Sequence, residues 1–249
     1  MGRDETSHAV RELSTALRAV GDPARAVQEK RYLKSELRHW GASMPAIRRV
    51  TTAFGKAHVD LEHAELVALV RELWADPVHE RRVAAVELLD GYGPMLEARD
   101  LRLVERLIRE SRTWALVDGL AATVAGGLVE RFPELSTTLD RWAVDEDFWV
   151  RRAALLALLV PLRRGGGDFE RFGRYADAML EEREFFIRKA IGWVLRDTGR
   201  KRPGLVAGWL RPRAARASGL TVREAVKHLA DKDAEAILRL HRGTRGRTR

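Results

Sequence analysis

The sequence predicts an all-α chain built as a helical-repeat solenoid with a concave basic groove. Three observations carry this. Stretches rich in Ala, Leu, Glu and Arg, with apolar residues at helical spacing, run almost end to end, and none alternates like a strand over a useful length. Gly and Pro fall mainly between those stretches, at Gly21 to Pro23, Gly41 to Pro45, Asp76-Pro77, Gly91 to Pro94, Phe132-Pro133, Gly165 to Gly167 and Arg202 to Gly204, where they end one helix before the next begins. Third, one unit recurs. Its copies open at Glu80, Trp114, Trp149, Phe186 and Thr221, at successive spacings of 34, 35, 37 and 35 residues. A helical hairpin of that length cannot bury its apolar face alone and must stack on its neighbours, as in HEAT-like arrays. Residues 1–240 are therefore expected to form a single domain, followed by a basic tail, 241–249, expected to be disordered.

Register within the unit separates two faces. Counting each opening residue as zero, offsets 1, 5 and 8 are apolar or small: Val150, Ala154 and Ala157; Ile187, Ile191 and Val194; Val222, Val226 and Leu229. That is the stripe each helix buries. Offsets 0, 3, 4 and 7 form a neighbouring ridge with other contents: Trp114, Asp118, Trp149, Arg152, Phe186, Lys189, Trp193 and His228. If successive unit helices lie side by side, aromatics, cations and one carboxylate converge along one groove.

Composition narrows the chemistry. With 249 residues and 45% hydrophobic content the chain can bury a large core. It has no cysteine, which excludes disulfides, thiol nucleophiles and cysteine-ligated metals. No apolar run approaches 18 residues and the start is polar, so a soluble, cytoplasmic protein without membrane contact is expected, and a monomer is the default for such a helical array. The net charge is +9, and of 45 basic residues only seven are lysines. Arginine pairs two-pronged with phosphate, so the excess points towards nucleic acid, although a GC-rich genome, which favours arginine codons, would raise it as well.

Trp114 and Asp118 are four residues apart, hence about one turn apart on one helical face, and the next unit presents Arg152 in nearly the same register. Trp74, Trp142 and Trp209 lack charged ridge neighbours and read as core. The histidines at 8, 39, 58, 63, 79, 228 and 241 have no spacing that groups ligands on one helix, so no metal and no cofactor is expected. The Gly165 to Gly167 triplet lacks the Lys-Ser/Thr of a phosphate-binding loop and reads as a linker.

Several segments resemble the AlkD-like DNA alkylation repair family. They are Tyr32-Leu33-Lys34-Ser35 with the Gly41 to Pro45 loop, Ser111 to Asp118, Phe148 to Ala154, Arg223 to Leu229 and, most specifically, Phe185-Phe186-Ile187-Arg188-Lys189-Ala190-Ile191-Gly192-Trp193. The resemblance spans roughly residues 8 to 230. It implies a HEAT-repeat DNA glycosylase that releases N3- or N7-alkylated purines, such as N7-methylguanine and N3-methyladenine, from double-stranded DNA in base excision repair. Carried over position by position, it puts the catalytic aspartate at Asp118, the lesion-side tryptophans at Trp114 and Trp193, and a backbone-contacting arginine at Arg152. Tyr32 matches a tyrosine near the DNA, with Arg188, Lys189 and Arg223 as further DNA-binding candidates. Ser43 departs from the glutamine expected there, which puts in doubt a contact to the strand opposite the lesion.

These residue types suit that chemistry. A purine alkylated at N3 or N7 is cationic and leaves neutral, so no strong general acid is needed. The sugar left behind is oxocarbenium-like and calls for nearby negative charge and a positioned water. Two rival readings from other classes stay open: a noncatalytic binder of distorted DNA, and a protein-binding solenoid scaffold.

Overall fold

The computed structural model describes residues 3–245. Among them it is helical throughout, without a strand; the nearest thing to one is an isolated parallel bridge between Arg38 and Val78.

The recurring unit is visible as a ladder. Helices His79–Gly91, Trp114–Gly119, Phe148–Leu156, Phe185–Gly199 and Gly219–Ala225 each lie against the next, and all open at or within two residues of the unit start read from the sequence. The first three are backed by the helix that precedes them, His63–Ala75, Leu101–Ser111 and Ser136–Trp142 in turn, and the fourth by the helix that follows it, Pro203–Leu210. Local chemistry sets these starts. Thr113, Asp147, Glu184 and Ser218 each accept a hydrogen bond from a backbone N–H in the first turn of the helix that follows, supplying the acceptors a helix start lacks.

Of the offsets read as buried, Val150, Ala154, Ala157, Ile187, Ile191, Val194 and Val222 are buried in one continuous core with Trp74 and Trp142, whereas Val226 and Leu229, in the last copy, are only partly buried against it. Trp209 is only partly buried, packed on Phe172 under the Arg213 guanidinium. Gly192 sits in the most specific sequence run because of a close crossing. A Cβ there would come within 2.8 Å of the Glu224 Cβ and 3.3 Å of the Thr221 backbone, so a larger residue would push the last two ladder helices apart.

The period also appears in the ion pairs. Arg109–Asp145, Arg141–Glu105, Arg152–Asp118, Arg163–Asp197 and Arg213–Asp177 join residues 34 or 36 positions apart, at 2.5–3.0 Å. Stacked copies of one unit bring like faces opposite each other, so partners recur at the repeat length. Much of the arginine excess is thus engaged inside the protein, where exposed pairs contribute up to about 1 kcal/mol each. Net charge alone overstates what remains for a polyanion.

Two features were not anticipated. Helix Trp114–Gly119 runs on through a π-helical segment, Leu120–Ala125, into helix Gly126–Arg131. The wider turn starts directly after Asp118-Gly119, and Gly126 closes it where a Cβ would meet the Ala157 carbonyl at 2.6 Å. Single π turns inside α-helices concentrate at functional sites. The second concerns the end of the chain. Helix Asp231–Arg245 continues past residue 240, and buried His241 meets the Ala214 carbonyl at 2.9 Å, so the expected tail does not begin at 241; residues 246–249 lie outside the described residues.

Candidate active site and nucleic-acid interface

Asp118 stands on the last turn of the short helix that Trp114 opens, one turn below that indole. Its carboxylate is held from behind. Arg152 Nε–H donates to Oδ1 at 2.8 Å and its Nη2–H donates to Oδ2 at 2.9 Å, a two-pronged pair that fixes the carboxylate plane. The remaining Arg152 nitrogen, Nη1, donates to the Phe186 carbonyl. The Arg152 side chain is 1% exposed, against 19% for Asp118. One partner is sealed in and the other still faces solvent.

This geometry corrects the expectation for Arg152. All its donor nitrogens are taken and none lies at the surface, so it is not an open clamp for a DNA phosphate. It orients Asp118, and the two form one unit across the helix interface.

Around Trp114 the structure gathers Tyr32 and Lys189. The Tyr32 ring meets the indole edge-on at 6.1 Å between centroids, and Tyr32 itself is exposed. The Lys189 ammonium lies 5.8 Å from the Trp114 centroid and 5.9 Å from that of Phe185, a cation between two aromatic rings from the second and fourth ladder helices. Trp193 follows Lys189 by four residues on the same helix. It is half-buried, and its N–H donates at 3.1 Å to Asp197, which Arg163 and Arg196 hold in turn. Neither tryptophan is turned wholly into the interior.

Arg188 and Arg223 line a separate cleft of about 620 Å³ together with Phe185. Since Phe185 also touches Lys189, that cleft joins the Trp114 cluster through one exposed ring. Arg188 is partly engaged, its Nε–H donating to the Glu182 carbonyl at 2.6 Å, whereas Arg223 is exposed.

On the other flank, Lys34 and Arg112 line a cleft of about 590 Å³ with Thr113, the cap of the Trp114 helix. Both end helices in the left-handed backbone region, at φ 49° and 48°, and they are the only non-glycine residues with positive φ among those described. That conformation costs an L-residue about 1–2 kcal/mol, and it throws both cationic side chains into the same opening. Sequence reasoning missed Lys34, Arg112 and Phe185 as site residues. The sequence offered a cue only for Phe185, an apolar residue immediately before a unit start.

The histidine spacing also missed something. Glu29, His39 and His79 come together although they belong to one helix, one loop and the start of another helix. Burial pushes the His79 imidazole down to about 4, so it is neutral at pH 7.

The family model for DNA alkylation repair enzymes matches residues 13–229. The chain belongs to the DNA alkylation repair enzyme family. Solved structures agree on the fold. A structure described as a predicted DNA alkylation repair enzyme from Enterococcus faecalis superposes with a TM-score of 0.76 at 21% identity, covering 85% of this chain and 97% of that one. AlkD2 from Streptococcus mutans gives a TM-score of 0.64 at 14% identity, covering 90% of this chain and 99% of its own. No match emerges among curated proteins. Among the described residues, no helix is long and apolar enough to cross a membrane.

Proposed function

We propose that this family member is a DNA glycosylase that releases cationic N3- or N7-alkylpurines, N7-methylguanine and N3-methyladenine among them, from duplex DNA. The observation that carries the reading is the state of Asp118. It is a carboxylate locked in orientation by a sealed arginine, open to solvent on its free side and one helical turn from an indole ringed by Tyr32 and Lys189.

In the reaction, the bond between sugar C1′ and the base nitrogen breaks, and its electron pair neutralises the positive charge of the alkylated ring. The developing oxocarbenium is stabilised by the Asp118 anion and by the faces of Trp114 and Trp193. Water held by Asp118 adds to C1′ and passes its proton through that carboxylate to solvent, leaving an abasic site and a neutral base. No cofactor or metal takes part in this step. The strand is held by a stripe running from Lys34 and Arg112, past Tyr32, Trp114 and Lys189, to Phe185, Arg188 and Arg223, acting as a groove for the duplex. The protein works as a monomer on nucleoid DNA in the cytoplasm.

The decisive assay uses duplex DNA carrying one N7-methylguanine, with alkaline cleavage of any abasic site. Cleavage at the lesion is expected, and none on the same duplex with uracil, whose neutral ring is not an activated leaving group. Uracil release at a comparable rate would remove the leaving-group argument.

Phosphate contacts are separable from structural cations by salt. Arg112→Ala and Arg223→Ala should each lower the slope of log affinity against log salt by about 0.9. Arg163→Ala, whose guanidinium is engaged by Asp197, should leave it unchanged. Equal slopes in all three variants would take Arg112 and Arg223 off the DNA.

The Arg152 pair also favours a second reading, because a carboxylate already matched to a guanidinium is less available as a catalytic anion. On that reading the protein binds distorted DNA without cutting, and the N7-methylguanine assay separates the two.

A further inference from the structure

From the cluster that His39, His79 and Glu29 form, we propose a zinc-class divalent metal site that staples the Tyr32-bearing helix to the first unit of the ladder. Helix Pro23–Leu33 needs such a fastening. It contributes no buried residue to the core, yet it carries Tyr32 to the edge of Trp114.

The backbone assembles the ligands. The parallel bridge pairs Arg38 with Val78: Arg38 N–H donates to the Pro77 carbonyl at 2.9 Å, and His79 N–H donates to the Arg38 carbonyl at 2.9 Å. Buried Glu80 then accepts from the N–H groups of Trp40, Gly41 and Ala42 at 2.9, 2.6 and 3.3 Å, zipping the loop onto the helix start. With 38 fixed beside 78, His39 and His79 must lie side by side, and their rings stack at 4.5 Å and 11°. Glu29 reaches in from the helix, its Oε2 3.5 Å from His39 Nδ1, while its other oxygen accepts from Arg25 at 3.0 Å.

What points to a ligand is the unmet bonding. The His39 side chain is 1% exposed; its Nδ1 faces Glu29 Oε2 at 3.5 Å, an ion pair too long for a good hydrogen bond, while its Nε2 and the His79 Nδ1 have no hydrogen-bond partner. Buried polar atoms are nearly always satisfied, so two unpartnered ring nitrogens beside an overlong ion pair need an explanation. Stacked imidazoles cannot satisfy one another across their faces. A cation satisfies the set at once. One donor atom from each residue lies within 4.8 Å of the other two. Tetrahedral zinc with bonds of 2.0–2.1 Å wants donors roughly 3.3 Å apart, so the set closes by up to about 1.5 Å and the rings tilt out of parallel. Two imidazoles and one carboxylate suit zinc rather than calcium or magnesium, which prefer all-oxygen shells. Glu29 and Tyr32 are three residues apart on one helix, so metal binding would fix the ring that borders Trp114.

The test is titration of the full, tag-free, chelator-treated chain with Zn²⁺ by calorimetry, with melting curves in parallel and without DNA. One equivalent is expected to bind and to raise Tm. His39→Ala and Glu29→Gln should each weaken binding by more than about 100-fold and abolish the shift in Tm. His63→Gln should change neither, since His63 belongs to a separate pair with Asp100 at 2.7 Å. Glu29→Gln keeps the shape of a partly exposed side chain, so the test survives if His39→Ala folds poorly. Absence of binding, or unchanged binding in both variants, overturns the proposal. Because no lesion or DNA is used, its failure is distinct from failure of the glycosylase reading.

Discussion

Asp118→Asn should slow release of N7-methylguanine by about 10²-fold or more, with affinity for the duplex kept. The size follows from the geometry of the pair. A sugar cation about 4 Å from the carboxylate gains about 4 kcal/mol at an effective dielectric of 20, and the guanidinium behind it, about 8 Å away, takes back about half. The net of about 2 kcal/mol is roughly a thirtyfold effect on rate. Losing the group that orients the water accounts for the remainder. Asparagine keeps an acceptor for the Arg152 Nε–H, so the site should hold its shape, but it removes the anion that offsets a buried guanidinium. The variant should therefore melt lower than the parent, and excision should be compared at a temperature where both are folded. Undiminished excision by folded Asp118→Asn would take Asp118 out of the mechanism and leave the family membership untouched.

What was legible in the sequence follows the range of the forces involved. The period was legible because each hairpin must bury the same stripe on its neighbours, which repeats Val150, Ile187 and Val222 at one offset. The meeting of Trp114 and Lys189 was legible for the same reason, since ridge offsets on stacked helices face one groove. Depth across the ridge was not. Trp149 and Arg152 occupy ridge offsets, yet both are buried; register brings Arg152 beside Asp118 but does not reveal that the guanidinium reaches across the helix interface and closes on that carboxylate instead of facing the groove. The Glu29, His39 and His79 cluster escaped because it depends on a backbone bridge between a loop and a helix start, whereas ligand spacing was read within single helices. Lys34 and Arg112 escaped because nothing in a Lys or Arg marks a left-handed cap. The charge reading erred in the opposite direction: arginines at 109, 141, 163 and 213 meet carboxylates one repeat away and are not free for phosphate.

Arg152→Gln tests the linkage between fold and site. The substitution removes a fully buried cation, leaves the Phe186 carbonyl without its donor, and leaves Asp118 without its bracket. Breaking a buried pair costs about 3–5 kcal/mol. The carboxylate left behind is partly solvated and glutamine refills some of the volume, so the lower end, about 3 kcal/mol, is expected. For a domain of this size that is a fall in Tm of about 6–12 °C. Two effects on the reaction oppose each other: the Asp118 charge is no longer countered, but its orientation is lost. Orientation should dominate, since an unbracketed carboxylate turns towards bulk water, and excision should fall while the salt dependence of duplex binding stays as in the parent. The double variant Asp118→Asn, Arg152→Gln should be less destabilised than the sum of the singles, because each removes the charge that the other strands. Additive losses in stability would mean that the pair does not act as a unit. A salt slope lowered by about one in Arg152→Gln would return the arginine to the DNA backbone and imply that it swings out of its pocket when duplex binds.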